Sequence, residues 1–455
     1  MNASTGWPRV IVGAGIAGLA AGYELLAHGI QDFMVLDAAP RSGGAIRSAC
    51  IEGFQLEAGP DSFLGAKPAA ADLCRALGLS GALTGCATAS PRTWILHRKR
   101  LEPLPAGWQF LGPARLGPVL RTRLLSWRAK ARLAGEFFAP AAPVHADISA
   151  ANWVRRHLGA EVLDTLVAPL LAGVYGGDPE ALSFPAALPR FAALAGRGNI
   201  LRSLWRQQRV QSGSSPGPAF LTLREGLSQL PEALAAAIGA HRLGLGQAVV
   251  AITEAPGGYQ LRLAAGPELP ASQVLIATPA WAAAEMLRQL DPDLAALLAV
   301  IPYSSAATVH LAYRPSPPLP SGFGFLVPRG EGLRLLAATF VQQKFPHRVP
   351  PGAALLRLFY GGASDPRVLD LSDAALGQLA REEISATLGI RAAPDWFRVH
   401  RWPRAMPQYT LGHADRLARI SAALCRHPGL QLAGAAYQGV GLPDAIACGQ
   451  AAARR

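Results

Sequence analysis

Cysteine is nearly absent from this chain. Five of 455 residues are cysteine (Cys50, Cys74, Cys86, Cys425 and Cys448), an odd number, widely spaced, with no CxxC pair. Such spacing indicates neither a disulfide framework nor a zinc site, so reduced thiols and no metal are expected. Charge is scarce too. Asp, Glu, Lys and Arg make up 16 % of residues, against about 25 % in an average globular chain. Acid is the rarer sign, with 30 Asp and Glu against 43 Lys and Arg, a formal charge of +13. No uninterrupted apolar run reaches the roughly 18 residues of a spanning helix, and no internal repeat is evident. Half of the residues are hydrophobic. That excludes a disordered chain and allows two or three domains with a large core.

What the chain does have is glycine in a particular place. Residues 10–37 read VIVGAGIAGLAAGYELLAHGIQDFMVLD. Val10 to Val12 has the length and β-branching of a buried strand. Leu19 to His28 favours helix, and Phe33 to Leu36 is a second strand, ended by Asp37. This is a βαβ unit. Gly13 permits the tight turn, Gly15 lets the backbone approach a pyrophosphate, and Gly18 lets helix and strand pack closely. Ala14, Ile16 and Ala17 complete the loop, and the helix N-terminus offers free N–H groups to phosphate. Asp37, next to Leu36, stands about where the acid that holds a ribose hydroxyl is expected.

Arg41, Gly43, Gly44 and Arg47 follow directly. The run resembles the acid-xxx-Arg-x-Gly-Gly signature of the amine oxidase and porphyrinogen oxidase flavoproteins. The resemblance implies FAD, with Arg41 and Gly44 along the diphosphate. Two departures stand out: Asp37 replaces the usual Glu, and Ala45 stands where a basic residue is often found. Further on, Gly59, Pro60, Asp61 and Ser62, with Lys67-Pro68 after them, resemble the oxygen-dependent protoporphyrinogen/coproporphyrinogen oxidase family, in which this turn passes close to the flavin. Two more stretches share the likeness, GVYGGDPEALSFPAALPRF from Gly173 and VHRWPRAMPQYTLGH from Val399.

The resemblance implies other FAD contacts. Val249 or Val250 would pair with adenine through its backbone. Gly434 and Ala435 follow the last strand, and Val440, Gly441 and Leu442 open the final helix, whose N-terminus would face the flavin edge. Trp402 either stacks by the flavin or is a structural tryptophan. No histidine or cysteine falls inside the flavin motifs, so noncovalent FAD is expected.

On the substrate side, residues 92–105 read as a hairpin with a basic turn at Arg98 to Arg100. By resemblance Arg92 meets a substrate propionate; a one-residue shift puts Thr93 there, and Arg98 is the rival at the turn. Between Arg92 and Arg132 stand ten Lys or Arg and one acid, Glu102. A helix is expected from about Val119 to Phe138, carrying Trp127 among these cations. Such a surface suits an anionic membrane or is simply solvated. Ser149 is an expected N-cap, Ser212 to Pro218 an expected loop, and Leu223 to Ile238 an expected helix. Strands are expected at Ala248–Ile252, Tyr259–Leu263, Val274–Pro279, Ala307–Tyr313, Phe323–Val327, Leu333–Phe340 and Ala354–Tyr360, with a helix over Asp373–Leu388.

Together these readings predict an α/β protein. Its doubly wound Rossmann-type FAD domain is built from discontinuous segments, 1–90, 215–280 and 396–455. A hairpin and helical, membrane-associating insertion covers 91–214, and an α+β substrate domain with an antiparallel sheet covers 281–395. The resemblance implies oxidation of protoporphyrinogen IX to protoporphyrin IX in heme biosynthesis, with O2 as acceptor and H2O2 as product. Coproporphyrinogen III oxidation by the same mechanism is the alternative. It also implies product hand-off to ferrochelatase and a homodimer. A cytoplasmic protein with peripheral contact on the inner face of the membrane is expected, with no nucleic-acid partner. A flavin amine oxidase, a carotenoid desaturase and a non-catalytic FAD-binding assembly protein remain as rivals.

Overall fold

The strand Arg9–Val12 lies at the centre of a five-stranded parallel sheet. The computed structural model describes residues 6–87, 92–140, 147–211 and 217–455; of the loop expected at Ser212 to Pro218, residues 212–216 lie outside these. The sheet order is Leu243–Leu245, Phe33–Asp37, Arg9–Val12, Gln273–Ile276, Leu430–Leu432. A parallel sheet is covered on both faces, so its strands read as continuous apolar runs. Val10, Ile11 and Val12 are accordingly all buried. Ile11 and Val35 meet the helices Ile16–Ala27, Gln229–Ile238 and Leu442–Ala453 on one side. Val10, Val12 and Leu36 meet the small sheet Val249–Ala255, Gly258–Leu263, Leu269–Ala271 and the helix Ala280–Leu287 on the other.

A second sheet has seven strands, in the order Trp396–Pro407, Tyr303–Tyr313, Ala354–Gly361, Ala337–Phe340, Gly324–Leu326, Thr93–His97, Arg100–Pro103. All neighbours are antiparallel except Gly324–Leu326 beside Thr93–His97. Register sorts its side chains by face. Val309, Leu358 and Phe340 face a core that holds Leu376, Ala380 and Ile384 of the helix Asp373–Leu388. Thr308, His310, Arg357 and Thr339 lie on the opposite face.

Two segments belong to this sheet rather than where the sequence placed them. The hairpin Thr93–His97/Arg100–Pro103 was expected with the helical insertion, and Trp396–Pro407 with the FAD domain. Both are joined to the sheet by backbone hydrogen bonds between residues far apart in sequence, which local pattern does not reveal. The expected single helix from Val119 to Phe138 is two helices, Leu116–Arg121 and Trp127–Phe138. Thr122 Oγ1 accepts from Leu124 N at 3.2 Å and Ser126 Oγ from Ala129 N at 3.3 Å; hydroxyls that bond nearby backbone compete with the helix ladder. The helix expected from Leu223 is a strand, Phe220–Leu223, then a turn with Gly226 at φ +109°, then Gln229–Ile238. Ser149 is an N-cap as expected, accepting from Asn152 N at 3.2 Å. Among the described residues no helix is long and apolar enough to cross a membrane.

Candidate active site at a dinucleotide slot

Gly13 adopts φ +112°, and a Cβ there would sit 3.0 Å from the Ala277 backbone. Its N–H donates to Leu36 O at 2.7 Å, which seats the loop on the second strand. A Cβ on Gly18 would overlap Gly13 O, whereas one on Gly15 would meet nothing. Two of the glycines therefore serve packing, and the third faces open space in front of the helix N-terminus. No side chain caps that terminus, so its first N–H groups remain for an anionic ligand. Ala14, Ala17 and Leu36 have buried side chains and can offer a ligand only backbone. Ile16 is half-buried.

Asp37 sits beside the loop. Oδ2 accepts from Ala14 N at 2.6 Å and Oδ1 from Ala39 N at 2.8 Å. Each oxygen keeps a lone pair for a ribose hydroxyl. Asp37 O also accepts from Gln247 N at 2.8 Å, which brings the start of the Val249–Ala255 strand to the same place. Between Val249 and Ala251 the register shifts, so Val250 is an extra residue outside the ladder, and its side chain is exposed. The bulge stands where the adenine edge is expected to meet backbone. Arg41 folds back on its own turn, donating to Gly44 O at 2.7 Å and Ile46 O at 3.2 Å. That turn covers the glycine loop: Gly43 N donates to Ala14 O at 2.8 Å, and a Cβ on Gly44 would lie 3.2 Å from Gly15 Cα.

Gly59, Pro60, Asp61 and Ser62 follow on. A Cβ on Gly59 would overlap Ala45 O, so this turn packs against the Gly44 turn. Side chains from the seven-stranded sheet hold it. Trp402 Nε1 donates to Ala58 O at 2.8 Å, Thr308 Oγ1 to the same oxygen at 3.4 Å, and Arg357 to Gly59 O. Lys344 Nζ reaches both Asp61 oxygens, at 2.9 and 3.2 Å, and Ser62 Oγ at 3.1 Å. Arg348 donates to Glu57 Oε1 at 3.1 Å and Asp61 O at 3.0 Å. Burial alone would raise the Asp61 carboxyl, but Lys344, Arg357 and Arg348 together hold it well below the usual range. Burial pushes Glu57 up, against the pull of Arg348. His310 is kept neutral by burial and by the Arg357 charge.

At the far end, Gly434 adopts φ +125°, and a Cβ there would meet nothing. Tyr409 OH donates to Ala435 O at 2.6 Å and accepts from Gly439 N at 2.7 Å, bracing the loop that leads to Val440 and Gly441. Gly441 caps the last helix without a side-chain bond, which leaves Leu442 N free of any capping partner. Lys67 pairs with Asp444 of that helix at 2.6 Å.

The three substrate candidates separate. Thr93 is paired across the sheet with Gly324, and Gly324 with Thr339 and on to Arg357, so Thr93 lies on the face that meets the cofactor turn. Arg92 is exposed, with its guanidinium 5.9 Å from the Trp94 ring centroid; neighbouring strand residues point to opposite faces, and Arg92 falls with Trp94. Arg98 is at the hairpin tip at φ +52°, its N–H held by Glu331 at 2.8 Å, roughly 16 Å along the strand from Thr93. Half-buried Thr339, Phe359 and Trp402 share the face of Thr93. A cavity of about 270 Å³ lies where this sheet meets the helical insertion, between Ala168, Ala172 and Gly177 on one side and Val327, Arg329 and Leu336 on the other.

Lys344, Arg348, Arg357, Phe359 and Tyr409 were not singled out from sequence. Arg357 carried a signal, a lone charge inside the apolar strand ALLRLFYG, because an unpaired charge is seldom buried. Tyr409 lies within the RWPRAMPQY stretch. Lys344 and Arg348 carried none.

Comparison with known proteins gives the family. Residues 16–455 match the family described as flavin containing amine oxidoreductase. A coproporphyrinogen III oxidase of Bacillus subtilis (strain 168) is 33 % identical over 97 % of this chain and 96 % of its own. The chloroplastic protoporphyrinogen oxidase of Oryza sativa subsp. japonica is 30 % identical over 95 % of this chain and 85 % of its own. The crystal structure of an Exiguobacterium sp. 255-15 protein superposes with a TM-score of 0.87 at 31 % identity and covers 99 % of both chains. The open glycine cradle, the acid beside it and the free N-terminus of the last helix fit FAD, and the chain belongs to the flavin containing amine oxidoreductase family.

Proposed function

We propose that this protein oxidises a porphyrinogen to a porphyrin in heme biosynthesis, with coproporphyrinogen III as its substrate and protoporphyrinogen IX as the rival. The observation that carries this reading is the sheet face on which Thr93, Thr339, Phe359 and Trp402 stand half-buried beside the turn braced by Arg357. It offers a broad wall of two aromatic rings and two threonines to a flat macrocycle. The names of the Bacillus subtilis and rice relatives support the substrate class, and the higher identity to the former supports coproporphyrinogen.

FAD, when bound, accepts the electrons of each two-electron step and passes them to dioxygen. The protein binds, orients and excludes water. Tyr409 and Trp402 hold the two loops that frame the cofactor, and the last helix offers its positive end to charge developing on the ring. For a substrate carboxylate the contact proposed is Thr93, because Arg92 falls on the other face of the sheet with Trp94. The basic surface around Arg121, Arg123 and Arg128 would rest on an anionic membrane.

The test is turnover of both porphyrinogens by the purified protein, read as porphyrin fluorescence and peroxide. A higher kcat/KM for coproporphyrinogen III is expected. Porphyrin from neither substrate, with peroxide from an amine, would replace the proposal by an amine oxidase.

A further inference from the structure

Burying charge is costly unless it is compensated, yet five charged side chains share one interior beneath the Gly59–Ser62 turn. Lys344, Arg348 and Arg357 face Glu57 and Asp61, and all but Asp61 are buried residues. Three cations against two carboxylates leave an excess of one positive charge. Burial pushes Glu57 toward its neutral form, which widens the excess, and His310 and His400, both held down by burial, add nothing.

The turn's neighbours show what this charge faces. At one end Gly59 packs on Ala45, next to the Gly44 turn that covers Gly15. At the other, Lys67 pairs with Asp444 in the first turn of the last helix. A dinucleotide with its diphosphate on the glycine loop and its ring end at the last helix therefore runs along this segment. We infer that Arg357, backed by Lys344 and Arg348, is a positioning residue that holds the Gly59–Ser62 turn against the flavin and sets its reduction potential, through positive charge that favours the reduced, more negative ring. Charges in a desolvated interior are weakly screened, so the field reaches the ring without direct contact. The inference rests on FAD in this slot and not on the identity of the oxidised substrate.

The experiment is anaerobic titration of the holoprotein against redox dyes, with flavin content and Tm measured alongside. Arg357→Met and Lys344→Met should each weaken the reduced flavin relative to the oxidised form by about tenfold, which lowers a two-electron potential by about 30 mV. Arg357→Lys should retain the wild-type potential. Asp61→Asn, which removes a negative charge from the same turn, should raise it. A turn that is merely loosened moves the potential the same way in every variant, so opposite signs identify the field. Unmoved potentials in the two methionine variants, or a lowered potential in Asp61→Asn, overturn the inference. If Arg357→Met does not accumulate with flavin bound, Lys344→Met at the edge of the cluster carries the same test.

Discussion

The two ends of the cofactor slot are built by opposite means. The phosphate end is made from one continuous segment, Arg9 to Arg47, and works almost wholly through backbone: a glycine at φ +112°, an open cradle at Gly15 and free N–H groups at a helix start. The ring end is made from side chains on residues 57–62, 308–310, 344–357 and 402–409, which meet only in the folded molecule. A backbone site tolerates few residues and so leaves a fingerprint. A side-chain site can be assembled from anywhere in the chain.

The contrast can be broken most sharply within the phosphate end itself. Gly18→Val forces a side chain into Gly13 O and should leave little folded protein, while Gly15→Val, pointing into open space, should fold but bind no flavin. Circular dichroism and flavin absorbance of the two variants decide this; a yellow Gly15→Val protein would mean that the cradle is not where the diphosphate lies.

Next in size is a pH effect at the ring end. His413 stacks on Tyr409 at 4.2 Å, and burial, with help from Arg416, holds its imidazole down to about 4. The unfolded residue titrates near 6.5, so between those values the unfolded chain takes up a proton that the folded chain refuses. Stability therefore falls as pH drops through this window, by roughly 3 kcal/mol once pH 4 is reached. His413→Phe should flatten that part of the Tm profile; a profile as steep as wild type would assign the loss to other groups.

Tyr409→Phe sharpens the comparison more finely. It removes the hydroxyl that bridges Ala435 and Gly439, worth about 1–2 kcal/mol, and should weaken FAD binding about tenfold with the fold intact. Equal flavin retention in wild type and variant, after dilution, would deny Tyr409 that role.

The smallest expected effect lies outside the slot. Trp127 and Leu120 are exposed at 74 and 50 %, beside Arg121, Arg123 and Arg128. Lys130 and Arg132 are tied inward, to Leu120 O and to the carbonyls of Arg155 and Arg156. Reversing the three free arginines to Glu should abolish sedimentation with anionic vesicles, and salt should weaken the wild type as the Debye length shrinks below about 8 Å. Sedimentation that survives the reversal would make this a solvated face.

Taken by itself, the sequence determined the βαβ unit, its glycines, Asp37, the capped helix after Ser149, and most strands of both sheets. Each depends on residues within about twenty positions of one another, where turn chemistry and apolar period act directly. Only the tertiary structure decided that the Thr93–Pro103 hairpin and Trp396–Pro407 complete one sheet, and that Thr93 and Arg92 fall on opposite faces of it. It alone placed Lys344, Arg348 and Arg357 under a turn nearly three hundred residues earlier in the chain. Strand pairing is set by which apolar faces can be buried together, and a buried charge is tolerated wherever its partner happens to fold. Neither condition is local, so neither is written in any one stretch of the chain.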